Sequence, residues 1–345
     1  GVPYKSGIAG TGIVANIEGN GKGRIMGFRA DMDALPIREK NDIEYKSVNE
    51  GVMHACGHDL HSASMLGLVK VLMELKEHFK GLVRVVFQPG EEKIPGGAKL
   101  MLEDDLFGDM QPEIMIAQHV YPELETGFIG IRPGMYMASS DEIYITIQGK
   151  GGHAALPHYL VDPVVVTSHV ILALQQIAGR NATSHIPTVL SFGRIIGEGA
   201  VNVIPDSVSI EGTFRTMDEE WRKKAHERIT EVAQKTAEGM GAKAIIEIRR
   251  GYPVLFNNPE LTQTFRSFAS GYIGTNNIVD LEPRMTAEDF AYFSQKYPSM
   301  LFRLGTTTPG QKGAALHTPV FNVDEKAMET SVGLLAWTAL NYLND

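Results

Sequence analysis

His54-Ala55-Cys56-Gly57-His58-Asp59 sets the single cysteine of this 345-residue chain between two histidines and a carboxylate. Gly57, standing between the thiol and the second imidazole, lets the backbone turn tightly enough to aim both at one point. Taken alone, such a run serves more often as a small buried cysteine beside a core histidine than as a ligand pair. Its meaning depends on what the rest of the chain brings to it. Directly downstream, Met65, Leu68, Val69, Leu72 and Leu75 recur at helical spacing and predict a helix over 60–78. The cluster then lies at a helix N-terminus, where unpaired N–H groups and the positive dipole end favour a thiolate over a thiol.

Upstream, two short β-prone runs, 11–17 and 24–29, flank Glu18-Gly19-Asn20-Gly21, a turn sequence that predicts a hairpin. The second run leads into Arg29-Ala30-Asp31-Met32-Asp33-Ala34-Leu35-Pro36, so two carboxylates stand at the C-terminal end of a core strand. In open α/β sheets ligands bind at that edge; the plainer alternative is that Asp31 and Asp33 cap a turn before Pro36. Residues 81–88 read as another strand and break at Pro89-Gly90-Glu91-Glu92. A third apolar run, 114–117, delivers His119 in the same way. Random placement would scatter such residues over helix faces as well, so three strand ends with candidate ligands favour a metal site over coincidence. Further on, helices are predicted over 259–272, 287–296 and 324–343, with a strand over 300–304 and His317 on a loop within Ala315-Leu316-His317-Thr318-Pro319.

Between these α/β segments the pattern changes to strand 141–148, helix 163–178, strands 188–196 and 207–216, helix 219–238 and strand 242–249. This β-α-β-β-α-β order is the ferredoxin-like arrangement. Asp162-Pro163 supplies a capping side chain and a proline at the first helical position, and Gly239 and Gly241 can end the second helix. The expected architecture is an α/β protein in which residues 1–137 and 250–345 form a mixed-sheet α/β/α catalytic domain and residues 138–249 an inserted α+β domain.

Composition narrows the partners. A hydrophobic fraction of 43% with 21% charged residues supports a globular core. The net charge of −9 excludes a nucleic-acid partner, since Arg222-Lys223-Lys224, the densest basic run, sits among acids. No apolar run approaches the roughly 18 residues of a membrane span. One cysteine forms no internal disulfide, and a lone thiol points to a reducing compartment, hence a cytoplasmic location, or to a metal. Gly1-Val2-Pro3-Tyr4 leads quickly into strand-like sequence, so an upstream segment is expected to be missing.

Collected by position, Cys56, His58, Glu92, His119 and His317 make five candidate ligands, with Glu91 or an aspartate available to act on a bound water. That is more than one tetrahedral zinc needs, and it suits two adjacent divalent ions as used in hydrolysis. The thiolate favours zinc, while the carboxylates leave manganese open.

These residues, with Phe87-Gln88-Pro89-Gly90-Glu91-Glu92, Gly149-Lys150-Gly151-Gly152-His153-Ala154-Ala155, Asn202-Val203-Ile204-Pro205-Asp206 and Ala287-Glu288-Asp289-Phe290, span most of the chain. In that order they resemble the aminoacylase/carboxypeptidase G family of co-catalytic metallohydrolases, and within it the hippurate hydrolase and auxin-conjugate amidohydrolase branch. The resemblance implies a zinc-peptidase-like catalytic domain in which Cys56, His58, Glu92, His119 and His317 bind two metals. It also implies that Glu91 is the general acid/base and that Asp33 orients a ligand. It further implies that the inserted domain is a lid through which the chain forms a homodimer. His153 then stabilises the oxyanion in the partner's site, and Asn202 and Arg215 hold the substrate carboxylate. The implied activity is hydrolysis of an N-acyl amino acid, hippurate-like or N-acetylated. The alternatives are deacetylation of N-acetyl-diaminopimelate, dipeptide cleavage, and a catalytically silent metal-binding protein of the same fold. The presence of Glu91 argues against the last, because a binding module needs no base beside its ligands.

Overall fold

In the computed structural model, which describes residues 1–345, the chain divides into two compact units. The first comprises Gly1–Tyr136, Leu255–Pro283 and Glu288–Asp345; the second comprises Met137–Val254 with Arg284–Ala287.

The first unit begins with strands β1 (Tyr4–Ile8), β2 (Gly12–Glu18), β3 (Ile25–Asp31), β4 (Leu82–Gln88), β5 (Ile114–Glu125) and β6 (Ile129–Ile131). With strands Ile278–Asp280 and Ser299–Thr307 they form one mixed sheet. Its order is β1-β2-β4-β3-β5, then Ser299–Thr307, β6 and Ile278–Asp280. The four central strands β4, β3, β5 and Ser299–Thr307 run parallel to one another. Both β4 and Ser299–Thr307 are buried along their whole length, which is why their sequences are apolar runs and not alternating ones.

The expected hairpin between β2 and β3 is not formed. β4 lies between them, antiparallel to β2 (Ile13↔Phe87) and parallel to β3 (Ile25↔Leu82). β3 is buried on both faces and occupies the middle of the sheet. The Gly19–Gly21 turn serves instead as a crossing under the chain that enters β4, with Gly19 N donating to Gly81 O at 2.9 Å and Gly81 N to Gly21 O at 2.9 Å. The true hairpin is β1–β2.

Helix α1 (His58–Glu74) is the one expected from the apolar spacing, ending four residues earlier than 78 because Lys76–His78 continues as a 3-10 turn. Its Met65, Leu68 and Leu72 join Leu261 and Phe265 of helix Pro259–Ile273, Leu334 and Leu335 of helix Ala327–Asn344, and Phe28, Ile116 and Phe302 of the sheet in one core. The helix expected over 287–296 is only Ala291–Ser294. Glu288 and Asp289 are buried with their carboxylates turned to β3, a placement that helical backbone from 287 would not give. His119, expected at a strand exit, lies within β5, which runs on to Glu125.

In the second unit the strand order is Thr188–Ile196, Ser207–Thr216, Asp141–Gln148 and Lys243–Arg250, every neighbouring pair antiparallel. Helices Pro163–Gln176 and Glu219–Gly239 cover one face, burying Val166, Val170, Ala225 and Ile229 against Ile143, Ile145 and Ile210. This is the ferredoxin-like arrangement read from the element order. Asp162 and Asp218 cap the two helices, accepting hydrogen bonds from Val164 N and Trp221 N. No helix of either unit is long and apolar enough to cross a membrane.

Candidate metal centre

Gly57 is the N-cap of α1 and has φ of 76°, in the left-handed region. A Cβ there would also come within 2.7 Å of Val120 Cγ2, so strain and crowding both demand glycine. The turn it makes brings Cys56 Sγ to 3.4 Å from His119 Nε2, across from β5. Each neighbouring imidazole is held by a backbone carbonyl. His58 Nδ1 donates to Asp33 O at 2.9 Å and His119 Nδ1 to Val120 O at 2.8 Å. A carbonyl only accepts, so both rings carry their proton on Nδ1 and turn Nε2 inward. His58 Nε2 is buried there with no hydrogen-bond partner.

The remaining donors come from the loops after β4 and before the last helix. Glu92 N donates to Asp33 Oδ2 at 2.9 Å, while Glu92 Oε1 is buried without a hydrogen bond, 3.0 Å from His317 Nε2. Cys56, His58 and His119 form one group of ligand atoms, and Cys56, Glu92 and His317 a second, each lying within 4.8 Å of one another. The two groups share the cysteine sulfur. Glu91, buried beside them, receives a 3.4 Å hydrogen bond from Asp289 N.

Charge is unbalanced here. Burial pushes the Glu91 carboxyl well above its usual range, and Glu288, Asp289 and Glu92 push further, against Arg29. Burial would lower the His58 pKa, but Asp31, Asp33 and Glu92 outweigh it and raise it to about 9. Cys56 corrects an expectation drawn from its helix terminus. Burial, followed by Glu92, Glu91 and Asp31, pushes the thiol up, so the polypeptide alone does not favour the thiolate. Inward lone pairs without partners, a surplus of carboxylates and a thiol that needs a cation to ionise all fit divalent metal.

Several residues given no role in the sequence organise this centre. Buried Arg29 of β3 donates to Gln88 Oε1 at 2.8 Å, Asp31 Oδ2 at 2.8 Å and Asp289 Oδ1 at 2.7 Å, with Glu288 Oε1 at 3.1 Å. Val120 N donates to His61 Nε2 at 2.9 Å, so His61 carries its proton on Nδ1 and donates it to Asp31 Oδ1 at 2.5 Å. With both ring nitrogens engaged, His61 offers no lone pair to an ion. The one sequence signal for this lattice is charge inside apolar strands, at Arg29 above all.

Of the residues read as candidates, the structure thus gathers Cys56, His58, Glu91, Glu92, His119, His317 and Asp33 in the first unit. His153, Asn202 and Arg215 belong to the second. His153 is exposed and pairs with Val203, and Ala154 N donates to Asn202 O at 3.0 Å, so these two residues are neighbours. Arg215 is half-buried on the Ser207–Thr216 strand, donating to Met285 O at 3.3 Å.

A mixed sheet that presents such donor groups beside a buried acid able to move protons defines a class, that of metal-dependent hydrolases. The chain belongs to peptidase family M20/M25/M40, whose family model matches residues 27–341. It is 37% identical over 318 residues to the N-acetyl-L-cysteine deacetylase of Bacillus subtilis, covering 92% of this chain and 74% of that one. It is 36% identical over 339 residues to the N-acetyldiaminopimelate deacetylase of the same organism, covering 97% and 87%. Among solved structures, the Bacillus subtilis YXEP protein, a dinuclear metal binding peptidase of the M20 family, superimposes with a TM-score of 0.82 at 32% identity, covering 99% of this chain and 88% of that one.

Proposed function

We propose that the chain is a two-metal amidohydrolase that removes the acyl group from an N-acyl amino acid, with a small acyl group such as acetyl. The observation that carries this reading is the pair of donor groups sharing Cys56, with Glu91 between burial and surplus negative charge. Cys56, His58 and His119 would hold one ion and Cys56, Glu92 and His317 the other. When bound, divalent zinc or manganese supplies polarisation of the amide carbonyl and acidification of water. Glu91 takes a proton from the attacking water as its oxygen bonds the acyl carbon. The carboxyl then gives that proton to the amine nitrogen as the C–N bond breaks, releasing a carboxylate and a free amino acid. Burial, which raises its proton affinity, suits Glu91 to hold the proton between the two transfers. Asp33 holds His58 through its carbonyl and Glu92 through its carboxylate.

The resemblance of the motifs to the hippurate hydrolase branch supports an N-acyl amino acid as substrate. The small acyl group rests on the relatives, which carry the names of deacetylases of N-acetylcysteine and N-acetyldiaminopimelate. On the same resemblance, we assign Asn202 and Arg215 to the substrate carboxylate, Arg215 being suited to a bidentate grip. His153 is assigned to the oxyanion of the tetrahedral intermediate in the partner subunit of a homodimer. A panel of N-acetyl, N-benzoyl and indole-acetyl amino acids tests the substrate class. Turnover is expected to be highest on N-acetyl substrates, and an intact metal-loaded protein inert to every member would overturn the assignment. Mixing inactive His153→Ala with inactive Glu91→Gln chains should restore activity in heterodimers; no recovery after confirmed subunit exchange would remove His153 from the partner's site.

A further inference from the structure

We infer that the irregular loop between Leu35 and Met53 is a strap that holds the His317 loop in place, making Asn41 and Glu39 positioning residues for one of the two ions. The inference rests on the two-ion reading above. The strap is closed at its base by a pair of backbone hydrogen bonds, Leu35 N to Met53 O at 3.0 Å and Met53 N to Leu35 O at 3.1 Å. It contains no helix or strand between those ends. Its order comes from its own side chains: Asn41 Nδ2 donates to Glu39 Oε1 at 3.0 Å, and Ser47 N to Glu39 Oε2 at 2.8 Å.

This folded loop reaches some 280 residues along the sequence to the segment that carries His317. Lys40 N donates to Pro319 O at 2.8 Å, and Asn41 Nδ2 donates to Phe321 O at 2.8 Å. Tyr45 and Asn322 join their side chains at 3.3 Å. On the other side of the segment, His317 N donates to Ala55 O at 2.8 Å, next to Cys56. The segment is thus gripped from both directions across its own irregular backbone.

His317 needs such a grip. Its φ is 59°, left-handed for a residue with a Cβ, and its side chain is half-exposed, so neither local preference nor burial fixes it. The other histidine donors sit on a helix and a strand. His317 belongs to the Cys56–Glu92–His317 group and not to the Cys56–His58–His119 group. Loosening the strap should therefore weaken one ion and spare the other.

The test uses the full chain with Asn41→Ala and Asn41→Asp. The second variant keeps the size of the side chain but removes the N–H groups that reach Phe321 and Glu39. Two readouts are needed. In metal-free protein, hydrogen exchange of the amides over 317–322 should quicken by about tenfold or more in both variants, with α1 unchanged. In zinc competition against a chelator, one of the two ions should lose roughly 10–100-fold in affinity while the other stays within about twofold. Unchanged protection over 317–322 in both variants would overturn the strap, as would equal weakening of both ions. A wild-type protein that holds fewer than two ions would overturn the two-ion reading instead, and the exchange readout would still decide the strap.

Discussion

Each unit buries an arginine among carboxylates, and the two clusters resolve their charge in opposite ways. In the second unit Arg222 grips Asp141 at 2.5 Å and Glu219 at 3.0 Å, His226 approaches Asp141 at 2.7 Å, and Arg222 also reaches Gly251 O at 3.1 Å. Burial opposes ionisation of Asp141, but His226 and Arg222 outweigh it and hold the carboxyl below its usual range. Arg250 also reaches Glu219 at 3.1 Å, so two arginines meet two carboxylates, and the cluster ties strand Asp141–Gln148 to helix Glu219–Gly239. In the first unit Arg29 must serve Asp31, Glu288 and Asp289 at once. Glu91 and Asp289 remain pushed above their range by burial and by one another's neighbours. A buried lattice that is acid-rich, and that leaves His58 Nε2 and Glu92 Oε1 without hydrogen-bond partners, is built to be completed by cations. The balanced lattice is architecture; the unbalanced one is a site.

The contrast can be broken by experiment. Arg222→Met leaves Asp141 buried beside a single histidine and should cost about 3–5 kcal/mol, read as faster hydrogen exchange in strand Asp141–Gln148. Bound metal should not change, and its loss would mean that the second cluster serves the centre after all. Glu91→Gln removes a proton carrier and no proposed ligand, so kcat should fall by about 10²–10⁴-fold with metal content intact. Retained activity would take Glu91 out of the acid/base role. Gly57→Ala forces an unfavourable φ, at about 1–2 kcal/mol, and drives a Cβ into Val120, so melting temperature and metal affinity should fall together.

The mildest effect is on pH. Asp141 has a folded pKa below its unfolded value, so its contribution to stability is complete above about pH 4, the unfolded carboxylate range, and is lost as pH falls through the lower folded value. Hydrogen exchange in strand Asp141–Gln148 should therefore stay slow down to that range and quicken below it. His226→Gln should raise the folded value toward the unfolded one and so shrink that loss, and a loss of unchanged size would remove His226 from the pair.

Much of this was legible from one dimension. The apolar spacing behind His58 gave α1, the element order gave the ferredoxin-like unit, and the strand ends, the His54–Asp59 stretch and the His317 loop gave candidate residues that the structure gathers. What was not legible depended on pairing across distance. Glu18-Gly19-Asn20-Gly21 announces a turn but does not say that β4 will enter between its flanking strands. Glu288 and Asp289 meet Arg29 from some 260 residues away, and nothing local distinguishes them from acids at a helix start. The same pull on their side chains explains why helix begins only at Ala291. Cys56 shows the converse failure, since a local rule about helix termini was overruled by the acids that the fold packs around the thiol.

The most direct test of the account is the number of ions that the centre holds. Metal-free protein dialysed to equilibrium against zinc, and separately against manganese, should take up two ions per chain. Cys56→Ala, which withdraws the atom common to both donor groups, should weaken both. Uptake of a single ion by the wild-type chain, or two ions held by Cys56→Ala at wild-type affinity, would contradict a shared two-metal centre.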